Sequence, residues 1–233
     1  MSGEPVTGEQ TYIQALALGL DPVWRRRTSS ERHDDGCGFR DALATAELAA
    51  VRTVAYSSIG LERDVDVLLW RMAPSPEALE ETAATLLRDG LGPWLRVSHS
   101  LLGRIGPSQY VRRPTEQEQS PFAGERSRYL VVYPFTKSAE WYLLSKETRQ
   151  GVMNEHMRVG HQYPTIRQAL AYSFGLDGQD FVVAYETDDL VAFGDLVREL
   201  RGTESRRSTV NDQPILLGIH RPIDEILELL GAA

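Results

Sequence analysis

The sequence predicts an α+β chain in which one β-α-β-β-α-β unit is written twice, the two copies closing a common barrel. Two observations carry this. First, landmarks recur at a constant spacing. Gly60 and Gly175, Leu61 and Leu176, Trp70 and Tyr185, and the LLG of 101–103 and of 216–218 are each 115 residues apart. Nearer the start of each copy the spacing is 117, at Tyr12 with Tyr129 and Trp24 with Trp141. Second, the hydrophobic period changes in the same order in both stretches, from strand to helix, then two strands, a helix and a last strand.

The copies span roughly 8–104 and 125–230, with a polar linker at 105–124. Each opens on an apolar strand, YIQALAL or YLVVYPF. A long helical stretch follows, at about 29–50 and about 146–161. Two strands then flank a Gly-Leu turn: VRTVAYSS with DVDVLLW, and QALAYSF with DFVVAYE. The second helices are PSPEALEETAATLLRDG, capped by Ser75, and DDLVAFGDLVRELRG, capped by Asp188 or Asp189, with Gly90 and Gly202 as stops. A last strand ends at LLG. This order is that of the ferredoxin-like unit, so the fold class is two tandem ferredoxin-like units forming a dimeric α+β barrel within one chain.

Composition narrows the function. Of 233 residues, 42% are hydrophobic and 25% charged, and the net charge of -8 opposes nucleic acid or an anionic membrane as partner. Cys37 is the single cysteine, so no internal disulfide and no cysteine-rich metal site can form. No apolar run is long enough to span a bilayer, and the N-terminus lacks the pattern of a secretory leader; a cytoplasmic location is expected.

The segment NEHMRVGHQY holds two of the five histidines. Ser145 can cap a helix from Lys146, and Pro164 would end it. Val152, His156, Val159 and Gly160 then share one face. His161, five residues on, is rotated about 140° from His156, among polar residues. His156 is therefore the inward candidate ligand and His161 the solvated one, although periodicity alone favours an ordinary core histidine. A buried imidazole usually has its second nitrogen held by a carboxylate or carbonyl, and Glu204 is a candidate for that role. In YLVVYPFTKSAEWYLL, alternation puts Tyr129, Val131, Tyr133 and Phe135 on one strand face, with Lys137 and Trp141 just beyond. These could line an oxidisable pocket that tolerates anions. They also read as core aromatics with a surface lysine. Phosphate-loop, serine-hydrolase and calcium-loop spacings are absent from the sequence.

The stretches YPFTKSAEWYLL, NEHMRVGHQYP, YSFGLDGQDFVVAYETDDL and LRGTESRR, in that order, resemble the chlorite dismutase superfamily, and within it the coproheme decarboxylase branch of haem synthesis. The N-terminal half matches more loosely, through DPVW, YSSIGL, LLWRMAPSPEAL and PSQY. The resemblance implies a homopentamer of paired ferredoxin-like units, with one porphyrin per subunit in the C-terminal unit. It implies His156, in the EH-x-x-x-G segment, as proximal iron ligand and Glu204 as its supporting carboxylate. It implies Tyr133, in YP-x-x-K, as the catalytic tyrosine, Lys137 as the partner of a propionate, Trp141 as a neighbouring electron relay, and Arg207 as a propionate anchor with Arg206 as its competitor. The implied reaction is the hydrogen peroxide-dependent decarboxylation of two propionates of iron-coproporphyrin III, at once substrate and cofactor, to give haem b.

Two departures bear on that expectation. Chlorite dismutases carry a distal arginine where this chain offers Gln168, with Arg167 the competitor one position away. A neutral amide cannot hold a chlorite anion as a guanidinium does. Actinobacterial decarboxylases carry a distal histidine before the tyrosine strand, and the corresponding EQEQSPFAG here has none. The alternatives are a chlorite dismutase-like or peroxidase-like haem protein, and a non-enzymatic haem-binding oligomer.

Overall fold

The computed structural model describes residues 11–111 and 125–232. Residues 8–10 of the first expected unit, residues 112–124 of the expected linker and the EQEQSPFAG stretch lie outside them. Nine strands and six α-helices are described. The first half has β1 (Tyr12–Leu20), α1 (Ser29–Leu48), β2 (Arg52–Glu62), β3 (Val65–Ala73), α2 (Pro76–Arg88) and β4 (Leu95–Arg104). The second has β5 (Tyr129–Lys137), α3 (Ala139–Leu143), α4 (Lys146–Gly160), β6 (Arg167–Tyr172), β7 (Phe181–Thr187), α5 (Leu190–Arg201), β8 (Thr209–Asn211), β9 (Leu216–His220) and α6 (Ile223–Leu230). Among the described residues no helix is long and apolar enough to cross a membrane.

The strands run in the order β7-β6-β4-β1-β3-β2-β9-β5-β8, and β7 also pairs with β5, so eight of them close a barrel with β8 added at one edge. Within the first half the order is β4-β1-β3-β2, and within the second β9-β5-β7-β6. The two halves therefore arrange corresponding strands identically. One apolar core fills the barrel, with Ile13, Ala15, Leu68 and Trp70 from the first half meeting Leu130, Val132, Val182 and Ala184 from the second. The outer faces are covered by helices. Phe39, Leu69, Leu86 and Leu227 pack over the first half, and Val159, Val183, Tyr185 and Leu196 over the second.

The spacings seen in the sequence have a structural cause. Ile13 pairs with Gly103 and Ala15 with Leu101, while Leu130 pairs with Gly218 and Val132 with Leu216, so both LLG triplets hold the same register. Both glycines sit where the halves meet. A Cβ on Gly103 would lie 2.8 Å from that of Ala171, and one on Gly218 would lie 2.6 Å from that of Tyr56. Only glycine permits that approach. In the second half LLG opens the last strand rather than ending it, because β9 begins at Leu216.

One landmark pair does not correspond. Trp70 pairs with Ala15 and Tyr185 with Val131, whereas the partner of Val132, the counterpart of Ala15, is Ala184. The second hairpin is one residue shorter between corresponding pairs, Ser57 with Val67 against Tyr172 with Phe181. Because side chains alternate, this slip puts Trp70 inside the barrel and Tyr185 on the helix-covered face. The counterpart of Tyr185 is Arg71, a fully buried guanidinium that donates to Gln14 Oε1 at 2.5 Å and to the Leu79 carbonyl at 3.1 Å.

The long helices begin on matching caps. Thr28 caps α1 in a reciprocal box with Glu31, and Ser145 caps α4 by accepting from the Thr148 N–H at 3.2 Å. Thr28→Ala removes one partner of the box and should lower the unfolding free energy by about 1 kcal/mol in a urea titration, with unchanged m.

Candidate active site

The second half brings several reactive side chains onto or beside its helix-covered face. On β5, Leu130 and Val132 point into the barrel, which leaves Val131, Tyr133 and Phe135 under α4 and α5. Gln168 lies opposite Tyr185 on β6, so it shares this face. Arg167, one residue earlier, points the other way. Its guanidinium meets Glu186 Oε2 at 2.9 Å, the Ser127 hydroxyl at 3.0 Å and the Glu125 carbonyl at 2.9 Å. Glu186 is almost fully buried and also receives Arg126 at 3.2 Å and the Tyr56 hydroxyl at 3.0 Å. Breaking one side of such a buried ionic cluster typically costs about 3–5 kcal/mol, so Arg167 is committed to the barrel interior.

Lys137 ends β5 and is only 7% exposed. Its ammonium donates to the Ser205 carbonyl at 2.8 Å and hydroxyl at 3.0 Å, and lies 4.6 Å from the centre of the Trp141 ring. It is a buried cation, not a surface lysine. Desolvation, and then the charge of Arg206, pull it from 10.5 down to about 8. Trp141 is buried on the short α3, close to the Tyr110 phenol. Tyr110 belongs to the PSQY stretch, whose contact across the linker no local pattern could show.

His156 projects from α4 on the same stripe as buried Val159, while His161 caps the helix end in solvent. Burial, and then the Lys137 charge, push the imidazole from 6.5 down to about 4, against a small opposing effect of Glu155. It is therefore neutral at ordinary pH. Its Nδ1 is buried without a hydrogen-bond partner.

The remaining predicted residues sit on a 3-10 turn, Glu204–Ser208. With three residues per turn, positions i and i+3 fall on one side. Glu204 and Arg207 accordingly face out together and pair at 3.5 Å, with the Arg207 side chain 81% exposed. The structure does not bring the Glu204 carboxylate to His156. Its backbone N–H instead donates to Glu155 Oε2 at 3.0 Å. Nor does it bring Arg207 to the site. Arg206 binds Asp212 at 2.6 Å, with Arg201 at 3.7 Å from the same carboxylate, and its charge is felt at Lys137. Ser205, which the sequence reading passed over, faces in and holds Lys137.

Among the described residues no three acidic, histidine or cysteine side chains gather to hold a bare metal ion. A single neutral imidazole with an unpartnered nitrogen, near a buried cation and tyrosine phenols, fits an iron whose other ligands come from a macrocycle. Clefts of about 450 Å³ beside Tyr172 and Phe174 and about 400 Å³ beside Arg126 and His220 lie elsewhere, so chemistry rather than cavity size identifies this site.

The first half offers no second copy of it. The helix caps Thr28 and Ser145 share the 117-residue spacing of Tyr12 and Tyr129, which places Phe39 at the position of His156 and Leu16 at that of Tyr133. Both are buried and apolar.

Comparison with known proteins accords with the sequence resemblance. The family described as chlorite dismutase matches residues 34–221. A coproheme decarboxylase of Mycolicibacterium smegmatis is 32% identical over 184 residues, 75% of each chain. A chlorite dismutase of Ideonella dechloratans is 26% identical over 185 residues, 76% of this chain and 65% of that one. Among solved structures, a point variant of chlorite dismutase from Candidatus Nitrospira defluvii superposes with a TM-score of 0.88 at 26% identity over 97% of each chain. A variant of that enzyme in complex with cyanide gives 0.86 at 26% identity over 95% of each.

Proposed function

The chain belongs to the chlorite dismutase family, and from that premise we propose that it is a hydrogen peroxide-dependent coproheme decarboxylase, converting iron-coproporphyrin III to haem b. The observation that carries the reading is the chemistry of one face: Tyr133 and Gln168 lie on it together, Lys137 is buried beside it, and Arg167 is turned away by Glu186. A phenol and an amide suit hydrogen abstraction from a bound propionate. Chlorite decomposition, the second reading that the family allows, calls for a cation on that face, and the amide of Gln168 is a weak substitute.

The residues divide the work. His156 would hold the iron through its imidazole nitrogen, kept neutral by burial. The iron porphyrin, when bound, supplies the capacity to be oxidised by peroxide. Lys137 offers a point charge to a propionate carboxylate and Arg206 a second cation beside it. Tyr133 is buried, and desolvation and then Tyr185 hold its phenol well above 10, so it keeps its proton until oxidised. As a radical it takes a hydrogen atom from the propionate side chain. Loss of CO2 and a further electron then leave a vinyl group, and each propionate consumes one peroxide and yields one CO2 and two waters. Trp141, whose ring lies 4.6 Å from the Lys137 ammonium, would relay an electron. The matching strand order of the halves supports their assignment as ferredoxin-like units at 8–104 and 125–230 joined by 105–124. A cytoplasmic homopentamer is part of the same reading.

Apo-protein given iron-coproporphyrin III and titrated with peroxide should show two successive losses of CO2 by mass. Binding without mass change would overturn the assignment. Because Lys137 carries its charge below about 8, porphyrin affinity should fall as pH rises through about 8. Lys137→Met should flatten that dependence in a spectrophotometric titration.

A further inference from the structure

The seam between β4 and β6 opens into a cleft of about 450 Å³ that the proposed reaction leaves unused. Its walls include Tyr12, Arg104, Gly106, Tyr172, Phe174 and Leu176. The two strands are joined there by one pair, Arg104 with Tyr172. Ala171 points into the barrel, so Tyr172 points out, and Arg104 shares that outer face. The shorter second hairpin is the cause. Tyr56 of the first AYS motif is fully buried inside the barrel, whereas Tyr172 of the second falls on the opposite face.

The walls are fixed before any ligand arrives. The Tyr172 hydroxyl donates to the Pro107 carbonyl at 3.1 Å, and its ring stacks on that of Phe174, centroids 6.4 Å apart and planes at 28°. Phe174 in turn meets Phe181 edge-on at 5.1 Å. The turn that carries Phe174 and Leu176 is tied to β4. The Ser173 hydroxyl donates to the Leu102 carbonyl at 2.7 Å, and the Asp177 carboxylate accepts from the Leu102 N–H at 3.1 Å. Phe174 and Leu176 nevertheless stay 47% and 44% exposed. Gly106 leaves space beside Tyr172 and Arg104. A Cβ there would lie 3.4 Å from the Tyr172 ring and 3.9 Å from Arg104 Nη1, so a ligand atom in that place would touch the ring and the guanidinium together. Among the described residues Arg104 is the only charged residue in the wall, and no carboxylate pairs with it.

We propose that this cleft binds a small planar aromatic carboxylate. Aromatic and apolar walls with few polar groups are the usual form of a small-ligand site. The rings offer stacked and edge contacts to the body of the ligand. One guanidinium matches one carboxylate through two parallel N–H···O bonds. A neutral aromatic would leave that cation unmatched, and a phosphate monoester would bring two charges to a single cation. The cleft shares no residue with the site at His156, so the proposal does not depend on the decarboxylation.

Calorimetric titration of the full chain with naphthoate tests this. Naphthoate should bind, and the neutral naphthylmethanol should bind at least about tenfold more weakly, because the charge-assisted hydrogen bonds are lost. Arg104→Gln should weaken the acid by a similar factor and leave the alcohol unchanged. Gly106→Leu adds a Cβ at ordinary contact distance and fills the space beside the ring, so it should unfold at the same temperature and bind neither probe. Added iron-coproporphyrin III should leave naphthoate bound. No binding of naphthoate, equal affinity for acid and alcohol, unchanged binding in Gly106→Leu, or displacement by the porphyrin would each overturn the proposal.

Discussion

Replacing Tyr133 by phenylalanine is expected to leave iron-coproporphyrin III bound and both of its propionates intact. The ring sits on the helix-covered face of β5 against Val183 and Tyr185, and a phenylalanine keeps that packing. What goes is one oxygen and the hydrogen it exchanges. A side chain that moves a proton or hydrogen in the transition state contributes about a hundredfold to ten-thousandfold in rate. CO2 release should therefore drop by at least about a hundredfold, with the porphyrin dissociation constant little changed, since an interaction made only in the transition state lowers turnover without weakening binding. Single-turnover mixing with peroxide, read by product mass, checks this. A variant that still yields haem b at the original rate would remove Tyr133 from the reaction.

The second large effect is expected at His156. Alanine there deletes the imidazole that burial holds neutral. Loss of a residue that merely supports a metal ligand costs roughly 10–100-fold in affinity, and loss of the ligand itself should cost more. The Soret band of the ferric porphyrin complex should shift, and added free imidazole should partly restore it by entering the vacated space. An unchanged Soret band in His156→Ala would sink the ligand assignment. The apo-variant should remain folded, because α4 keeps its Ser145 cap and the Val159 contact.

The parts of this molecule that were legible in its sequence are those governed by repetition and alternation. The element order followed from the recurring landmarks, and the inward turn of His156 and outward turn of His161 from helix geometry. Alternation alone could not choose between Arg167 and Gln168 until the register of β6 against β7 fixed their faces. The pairing of Trp70 with Tyr185 failed because a hairpin one residue shorter reverses which face a side chain occupies, and similar letters at a constant spacing carry no record of faces. Arg207 and Glu204 stand outside because a tight turn with three residues per revolution aims both at solvent, whereas Ser205 faces in. Lys137 reads as a surface residue by type, and only its tertiary partners Trp141 and Ser205 explain how a cation is accommodated at 7% exposure.

The seams of the barrel are short. β2 meets β9 through Tyr56 with His220 and Ser57 with Ile219, and β4 meets β6 through Arg104 with Tyr172. The interior they enclose is nonetheless common property, since neither four-stranded half can cover its own inner face. The half that carries Phe39 where its counterpart carries His156 supplies the opposite wall of that interior. Under the proposed function the reactive residues all lie in the other half, so this one should accept more substitutions, on one condition. The small residues at the seams must stay small, so Gly103 and Gly218 are the places where the two histories remain tied.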